Sequence, residues 1–176
     1  MMTQQPVQFD TFTIERALPA PLSQVIAAFA DPRRKQRWFA ESAAHEIEQF
    51  TMAFEVGGRE RACYRFKPGT PFAGTMLESD GVFLEIVPGV RIVSAATMTM
   101  GGRRISASLH TFEFAGGEAA PTRLRFTHQA AFFEGADGPA IRRAGWEQLF
   151  GQLATALAGE LEDVPDNAPD RVPARG

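Results

Sequence analysis

Short turn signals divide the middle of the chain, and they limit its fold more than any other feature. Residue pairs that favour turns recur through residues 57–117, with no helical spacing of apolar residues between them. Strands joined by such short turns pair antiparallel, because a parallel connection needs a crossover of a dozen or more residues. The turn pairs are Gly57-Gly58, Pro68-Gly69, Asp80-Gly81, Pro88-Gly89, Gly101-Gly102 and Gly116-Gly117.

The segments between these turns are predicted to form an antiparallel meander. Its strands are expected near residues 46–54, 59–67, 74–79, 82–88, 91–100, 103–114 and 122–132.

Three further elements precede the meander. Alternation in "VQFDTFTIERAL" predicts a strand over residues 8–18. The segment "PLSQVIAAFADP" has apolar residues at helical spacing, and "PRRKQRWFA" is typical of a second short helix that ends on Trp38 and Phe39.

One long helix follows the meander, predicted over about residues 138–158. It carries an apolar stripe that must pack on an apolar surface, and the sheet is the only large partner that the chain offers. The stripe consists of Trp146, Leu149, Phe150, Leu153 and Leu157. The sequence therefore predicts an α+β fold in which a curved antiparallel sheet wraps around a terminal helix.

Four segments carry a resemblance to a known family. They are "ALPAPLSQVIAAFADPRRKQRWF", "GGRERACYRFKPGTPFAG", "GVFLEIVPGVRIV" and "TRLRFTHQAAFFEGADGPAIRRAGWEQLFGQLATAL". The chain resembles bacterial proteins with an AHSA1-like domain (activator of Hsp90 ATPase homologue) in the START/Bet v 1-like, or SRPBCC, superfamily. The resemblance implies a helix-grip fold with a hydrophobic cavity between the sheet and the long helix. The predicted domain spans residues 8–158, between a flexible N-terminus (1–7) and a disordered tail (159–176).

Composition limits the class of protein. A formal net charge of −3 argues against a nucleic-acid binder that relies on a strong positive field. No apolar run approaches the roughly 18 residues of a membrane span, and no secretory leader is visible at the N-terminus. The single cysteine, Cys63, excludes an internal disulfide and a multi-cysteine metal cluster. A cytoplasmic protein without membrane insertion is the resulting expectation.

Two of the three histidines lie on neighbouring predicted strands. Strand parity puts His110 on the face of Phe112 and His128 on the face of Phe126, so the histidines should be cross-strand neighbours on the concave side. A register slip by two residues would keep both on this face and make them diagonal neighbours. A metal site lacks a third ligand in reach, and a general base lacks an accompanying nucleophile motif. The favoured interpretation is that both histidines line a pocket and form hydrogen bonds there.

Side-chain alternation along the strands and the predicted long helix suggest further candidates for the cavity wall. The segment "RIVSAATMTM" suggests a roomy wall of small residues and methionines, or an ordinary core. Trp38 and Phe39 could form the cavity mouth or fill the core, and Tyr64 could point inward or outward. The predicted cavity residues are Trp38, Phe39, Tyr64, Ala96, Met98, Met100, Ser108, His110, Phe112, Phe126, His128, Phe132, Arg142, Gly145, Trp146 and Leu149.

Alternatives stay open for one glycine, one arginine and one basic run. Gly145 costs helix stability, so either a strand backbone packs closely there, which we favour, or space is kept for a ligand. Arg142 could reach the cavity entrance, although an exposed helix arginine is the commoner outcome. The basic run Arg33–Arg37 is interpreted as a solvated helix face.

These observations favour a protein that binds a small hydrophobic molecule, without a metal or cofactor. One alternative is a cyclase or aromatase for a polyketide-like ligand, in which His110 or His128 moves protons. Another is an Hsp90 co-chaperone, as the family name suggests, and a homodimer also stays open. An apolar pocket of several hundred Å³ would favour a ligand.

Truncation after Glu162 tests the predicted tail. The removed residues carry almost no apolar side chains, so the melting temperature should stay within a few degrees of that of the full chain. Thermal unfolding followed by circular dichroism measures this. A large drop would show that the tail docks on the domain.

Overall fold

The structure is a computed structural model that describes residues 5–162. The elements are β1 (Gln8–Leu18), α1 (Leu22–Ala30), α2 (Pro32–Phe39), β2 (His45–Met52), β3 (Arg59–Phe66), β4 (Met76–Val87), β5 (Arg91–Met100), β6 (Arg103–Ala115), β7 (Thr122–Phe132) and α3 (Pro139–Glu162).

The predicted α+β architecture is confirmed. Helix α3 runs four residues beyond position 158, and the rest of the predicted tail lies outside the described residues, as do residues 1–4. None of the described helices is long and apolar enough to cross a membrane.

The seven strands form one antiparallel sheet in the order β1-β7-β6-β5-β4-β3-β2. Each meander strand therefore pairs with its neighbour in sequence, while β1 pairs with β7. Strands β1 and β2 are the two edges of the sheet. Residues directly across from one another share a face, so the register fixes which side chains point to the concave side.

One predicted turn is wrong. Asp80-Gly81 lies inside β4, which is a single strand over Met76–Val87 instead of two strands. Gly81 pairs with Glu60 on one side and Ala96 on the other, and its φ is not positive. A Cβ at this position would lie 3.3 Å from the carbonyl oxygen of Ala95, so the glycine permits a close approach within the sheet.

The apolar stripe of α3 packs as predicted. Phe150 and Leu153 are fully buried, and Leu149 is half-buried against the same core. This core lies between α3, the short helices and the concave face, mainly on the β1–β7–β6 side, and it includes Phe83 of β4 and Ile92 of β5. Its aromatic members include Phe12, Phe29, Trp38, Phe112, Phe126, Trp146 and Phe150.

The second short helix is tied to the first and fills the core. The Asp31 carboxylate accepts hydrogen bonds from the backbone N–H groups of Arg33 and Arg34, which caps α2. Trp38 is 1% exposed, and its Nε1 donates a hydrogen bond of 2.9 Å to the carbonyl oxygen of Ala28. Of the two roles considered for Trp38, the structure therefore shows the core residue and not a cavity mouth.

Replacing Leu153 by alanine tests the packing of α3. The Leu153 side chain is fully buried, so Leu153→Ala should lower the free energy of unfolding by about 2–5 kcal/mol. Thr155→Ala on the exposed side of the same helix should change it by less than about 0.5 kcal/mol. Urea unfolding of both variants measures the difference. Equal effects would mean that the stripe does not face the core.

Candidate ligand site on the concave face

His110 and His128 meet as predicted. They are direct partners in the register of β6 and β7, and Phe112 and Phe126 are the next such pair on the same face. The two imidazole rings stack at a centroid distance of 5.1 Å with an interplanar angle of 25°. Phe12 of β1 stacks on the other side of His128 at 4.7 Å.

Burial keeps both imidazoles neutral. His128 is fully buried, and neither of its ring nitrogens has a hydrogen-bond partner among the described residues. Desolvation, with a smaller contribution from the charge of Arg142, lowers the pKa of His128 to about 4. Desolvation, followed by the influence of His128, Arg142 and Lys35, holds the pKa of His110 well below its usual value.

A pair of opposite charges, a buried lysine and a part-buried glutamate, lies in the same interior. Lys35 of α2 is 3% exposed, and its Nζ lies 3.2 Å from Oε2 of Glu60 on β3. Four aromatic rings surround the ammonium group at centroid distances of 4.8–5.9 Å, and they belong to Phe29, Trp38, Phe39 and Phe112. The interpretation of Arg33–Arg37 as a wholly solvated face is therefore wrong at Lys35, because ring faces and Glu60 offset its desolvation.

Lys35 and Glu60 were not among the predicted site residues, although the sequence contains a signal for each. Lys35 precedes Trp38 by three residues, which places both on one side of a helix. Glu60 has the same strand parity as Ala62 and Tyr64, which both point to the concave face.

A hollow of about 20 Å³ lies between α2 and the middle of the sheet. This volume suits about one water molecule. We call it the water-sized hollow. Its walls are Phe39, Glu60, Ser79, Gly81, Val82, Phe83, Ser94, Ala96 and His110.

The water-sized hollow adjoins a part of the concave face that no helix buries. The residues there are small or flexible, and each is half-buried although it points to the inner side of the sheet. We call this surface the concave cleft. It consists of Leu77, Ser79 and Gly81 of β4, Ser94, Ala96, Met98 and Met100 of β5, and Ser108 of β6.

Arg142 marks one end of the inner face. Its side chain is buried, and its Nε and guanidinium NH2 donate hydrogen bonds of 2.8 and 2.7 Å to the two oxygens of Asp137. It also donates to the Ser106 hydroxyl at 3.0 Å and lies over the ring of Phe132. The interpretation of Arg142 as an exposed helix residue is therefore wrong, because an acidic partner and a ring allow its burial.

Gly145 does not pack closely against a strand. It is exposed, and a Cβ at this position would meet nothing within 4 Å, so the favoured interpretation of close packing is wrong. At 100° per residue, Gly145 lies 40° from Leu149 around the helix and 160° from Arg143. Arg143 contacts Phe12 of β1, so Gly145 lies on the flank of α3 away from β1.

The remaining predicted cavity residues lie on the inner side in different surroundings. Trp146 is 6% exposed and lies over Phe126 and His110. Tyr64 is buried in a satellite core with Ala40 and Ala62, and burial raises the pKa of its hydroxyl. Phe39 is half-buried and lines the water-sized hollow.

Among the described residues, no group of three His, Cys, Asp or Glu side chains could hold a metal ion.

A second depression of about 220 Å³ lies outside the core, between α1, α2 and the end of α3. It contains the outer side of Trp38 and an ion pair of 3.3 Å between Arg34 and Glu160. We call it the outer groove. It is separate from the concave cleft and shares no wall residue with the water-sized hollow.

Comparisons with known proteins agree with this architecture. A protein of Rhizobium leguminosarum is 31% identical and superposes with a TM-score of 0.79, over 88% of this chain and 97% of its own. The Mll3558 protein of Rhizobium loti is 38% identical with a TM-score of 0.74, over 87% and 100% of the two chains. DynU16, a protein in the dynemicin biosynthetic locus, is 23% identical with a TM-score of 0.59 over 86% of this chain and 48% of its own, which shows the fold alone.

The family resemblance noted in the sequence is confirmed by direct comparison. No curated protein matches the chain. The model of one family, described as "Activator of Hsp90 ATPase homolog 1-like protein", matches residues 19–158. This match contains both short helices, the whole meander and the buried part of α3. The chain belongs to the AHSA1 family.

Proposed function

We propose that the protein binds a small, mainly apolar molecule in the concave cleft. One observation carries this proposal: the inward-pointing side chains within residues 77–81 of β4 and 94–100 of β5 are only half-buried, although Phe83 and Ile92 of the same strands belong to the core. Small residues such as Ala96 and Ser108 leave space there, and Met98 and Met100 provide adaptable apolar walls.

The enclosed space alone is too small for this role. At about 20 Å³, the water-sized hollow takes a single small group and falls far short of an apolar pocket of several hundred Å³. The body of a ligand would therefore lie in the open concave cleft, between the flank of α3 that carries Gly145 and strands β4 and β5. The small residues of the concave cleft, and not a deep cavity, would determine which ligand shapes fit.

The histidines support binding more than proton transfer. A general base works best with a pKa near the operating pH. The pKa of His128 is about 4 and that of His110 lies well below its ordinary value, so both are weak bases at neutral pH. Their neutral rings are suited to packing and hydrogen bonding, which favours a binding protein over a cyclase.

Filling the floor of the concave cleft tests the proposed function. Ala96 and Ala95 are adjacent, half-buried and on opposite faces of β5, so they form a matched pair. Ala96→Leu should weaken binding of the neutral apolar probe N-phenyl-1-naphthylamine at least about tenfold, since the added side chain takes the space of the ligand. Ala95→Leu on the convex face should leave the affinity unchanged. Probe fluorescence titration measures both, and equal effects would place binding elsewhere.

The neutral buried state of His128 should appear in the pH dependence of stability. The unfolded chain takes up this proton near pH 6.5, whereas the folded chain does so only near pH 4. Stability is therefore complete above about pH 6.5 and falls as the pH decreases toward 4. Between pH 7.5 and 5.0, the wild type should lose about 2 kcal/mol more free energy of unfolding than His128→Phe.

Urea unfolding at the two pH values measures this difference. The variant replaces one ring by another, so stacking on Phe12 and His110 is kept while the titrating group is removed. Equal losses for both proteins would show that His128 titrates normally in the folded state.

A further inference from the structure

The polar part of the water-sized hollow defines a class of ligand more narrowly than the open concave cleft does. Glu60 is a wall residue of the hollow, whereas Lys35 is not. The Lys35 ammonium is enclosed by four rings and by Glu60, with only 4% of its side chain exposed. An incoming molecule therefore meets the carboxylate and not the cation.

The Glu60 carboxylate has unused capacity as an acceptor. Its Oε2 lies 3.2 Å from Lys35 Nζ as an ion pair, yet no described residue donates a directed hydrogen bond to that buried oxygen. A buried carboxylate oxygen usually accepts a hydrogen bond, and an oxygen left without one is typical of a site completed by water or a ligand. The His110 ring, also a wall of the hollow, forms no hydrogen bond with a described residue and is neutral.

The size of the hollow limits what can fill it. About 20 Å³ holds one oxygen or nitrogen atom with its hydrogens, and not the two oxygens of a carboxylate. Ser79, Gly81 and Ala96 line the hollow and also belong to the concave cleft, so an apolar body in the cleft can place one end group in the hollow.

We propose, on the basis of the proposed binding function, that the ligand is a neutral hydroxylated molecule whose single hydroxyl group enters the water-sized hollow and donates a hydrogen bond to Glu60. Lys35 is a positioning residue, because its charge holds the carboxylate in place without contacting the ligand. Carboxylate ligands are excluded by the size of the hollow and by the charge of Glu60. The site would thus select alcohols or phenols from among apolar molecules of similar shape.

A matched set of probes tests this selectivity on the full chain. 2-Naphthol, 2-methylnaphthalene and 2-naphthoate share one apolar body and differ in a hydroxyl, a methyl or a carboxylate group. The phenolic hydroxyl is neutral at pH 7. We expect 2-naphthol to bind roughly ten- to a hundredfold more tightly than 2-methylnaphthalene, the size of a hydrogen bond to a charged group, with 2-naphthoate weakest. Titration at pH 7, followed by the fluorescence of the naphthalene ring, gives the three affinities.

A paired variant assigns the selectivity to the ion pair. Lys35→Met combined with Glu60→Leu removes both charges together, which avoids leaving one of them buried alone. This variant should bind 2-naphthol and 2-methylnaphthalene with affinities within about threefold of each other, because the preference for the hydroxyl group is lost. Glu78→Gln, on the convex face of β4, is the control and should keep the preference.

The possible outcomes separate the two proposals. Equal binding of 2-naphthol and 2-methylnaphthalene by the wild type, or tightest binding of 2-naphthoate, would overturn the inference about Glu60 and leave the concave cleft as a binding site. A preference that survives in the paired variant would also overturn it. Failure of all three probes to bind would overturn the proposed function and, with it, this inference. If the paired variant does not fold, the ranking of the three probes on the wild type still decides.

Discussion

The width of the sheet relative to one helix is the constraint on which the rest of this structure depends. Seven strands span about 29 Å at roughly 4.8 Å per strand spacing, whereas a helix with its side chains is about 10–12 Å across. Helices α3 and α1 bury the concave face on the side of β1, β7 and β6, and α2 contacts β3 and β2 toward the other edge. Only residues 77–81 of β4 and 94–100 of β5 are left with half-buried side chains on the inner face, whereas Phe83 and Ile92 of the same strands are buried in the core. The concave cleft is thus a consequence of how this fold is built.

The buried charges are located at the boundary between the filled and the open part of the concave face. Moving Lys35 and Glu60 out of water has a desolvation cost that their attraction offsets only in good geometry. Four aromatic rings and the carboxylate provide that geometry for the ammonium group. The Glu60 carboxylate, in contrast, has an oxygen that accepts no directed hydrogen bond from a described residue. We therefore assign ligand recognition to Glu60 and positioning to Lys35.

Much of the fold could be predicted from the sequence, because strand alternation and turn chemistry act locally. That His110 and His128 share the concave face followed from the need to bury Phe112 and Phe126, whereas parity alone also allowed a slip by two residues, and the structure shows the direct pairing. Asp80-Gly81 was mispredicted because the same pair favours a turn in isolation, whereas here strands on both sides of β4 supply hydrogen-bond partners.

The site was less predictable than the fold, because burial of a charge depends on partners that are distant in sequence. Lys35 is buried where β3 brings Glu60 to it and four rings enclose it, and Arg142 is buried where Ser106 and Phe132 of distant strands join the nearby Asp137. Gly145 was placed correctly near the apolar stripe, but nothing in a single helix shows which flank its neighbours leave open. Such features require tertiary contacts.

Methionine methyl NMR tests most directly the central claim that a small molecule binds on the inner face of β4 and β5. Met98 and Met100 belong to the concave cleft, whereas Met76 pairs with Arg65 on the convex face and serves as an internal reference. In protein labelled with ¹³C at the methionine methyl groups, titration with 2-naphthol should shift the Met98 and Met100 signals and leave the Met76 signal in place. A shift confined to Met76, or saturable binding without any change at Met98 and Met100, would contradict the account.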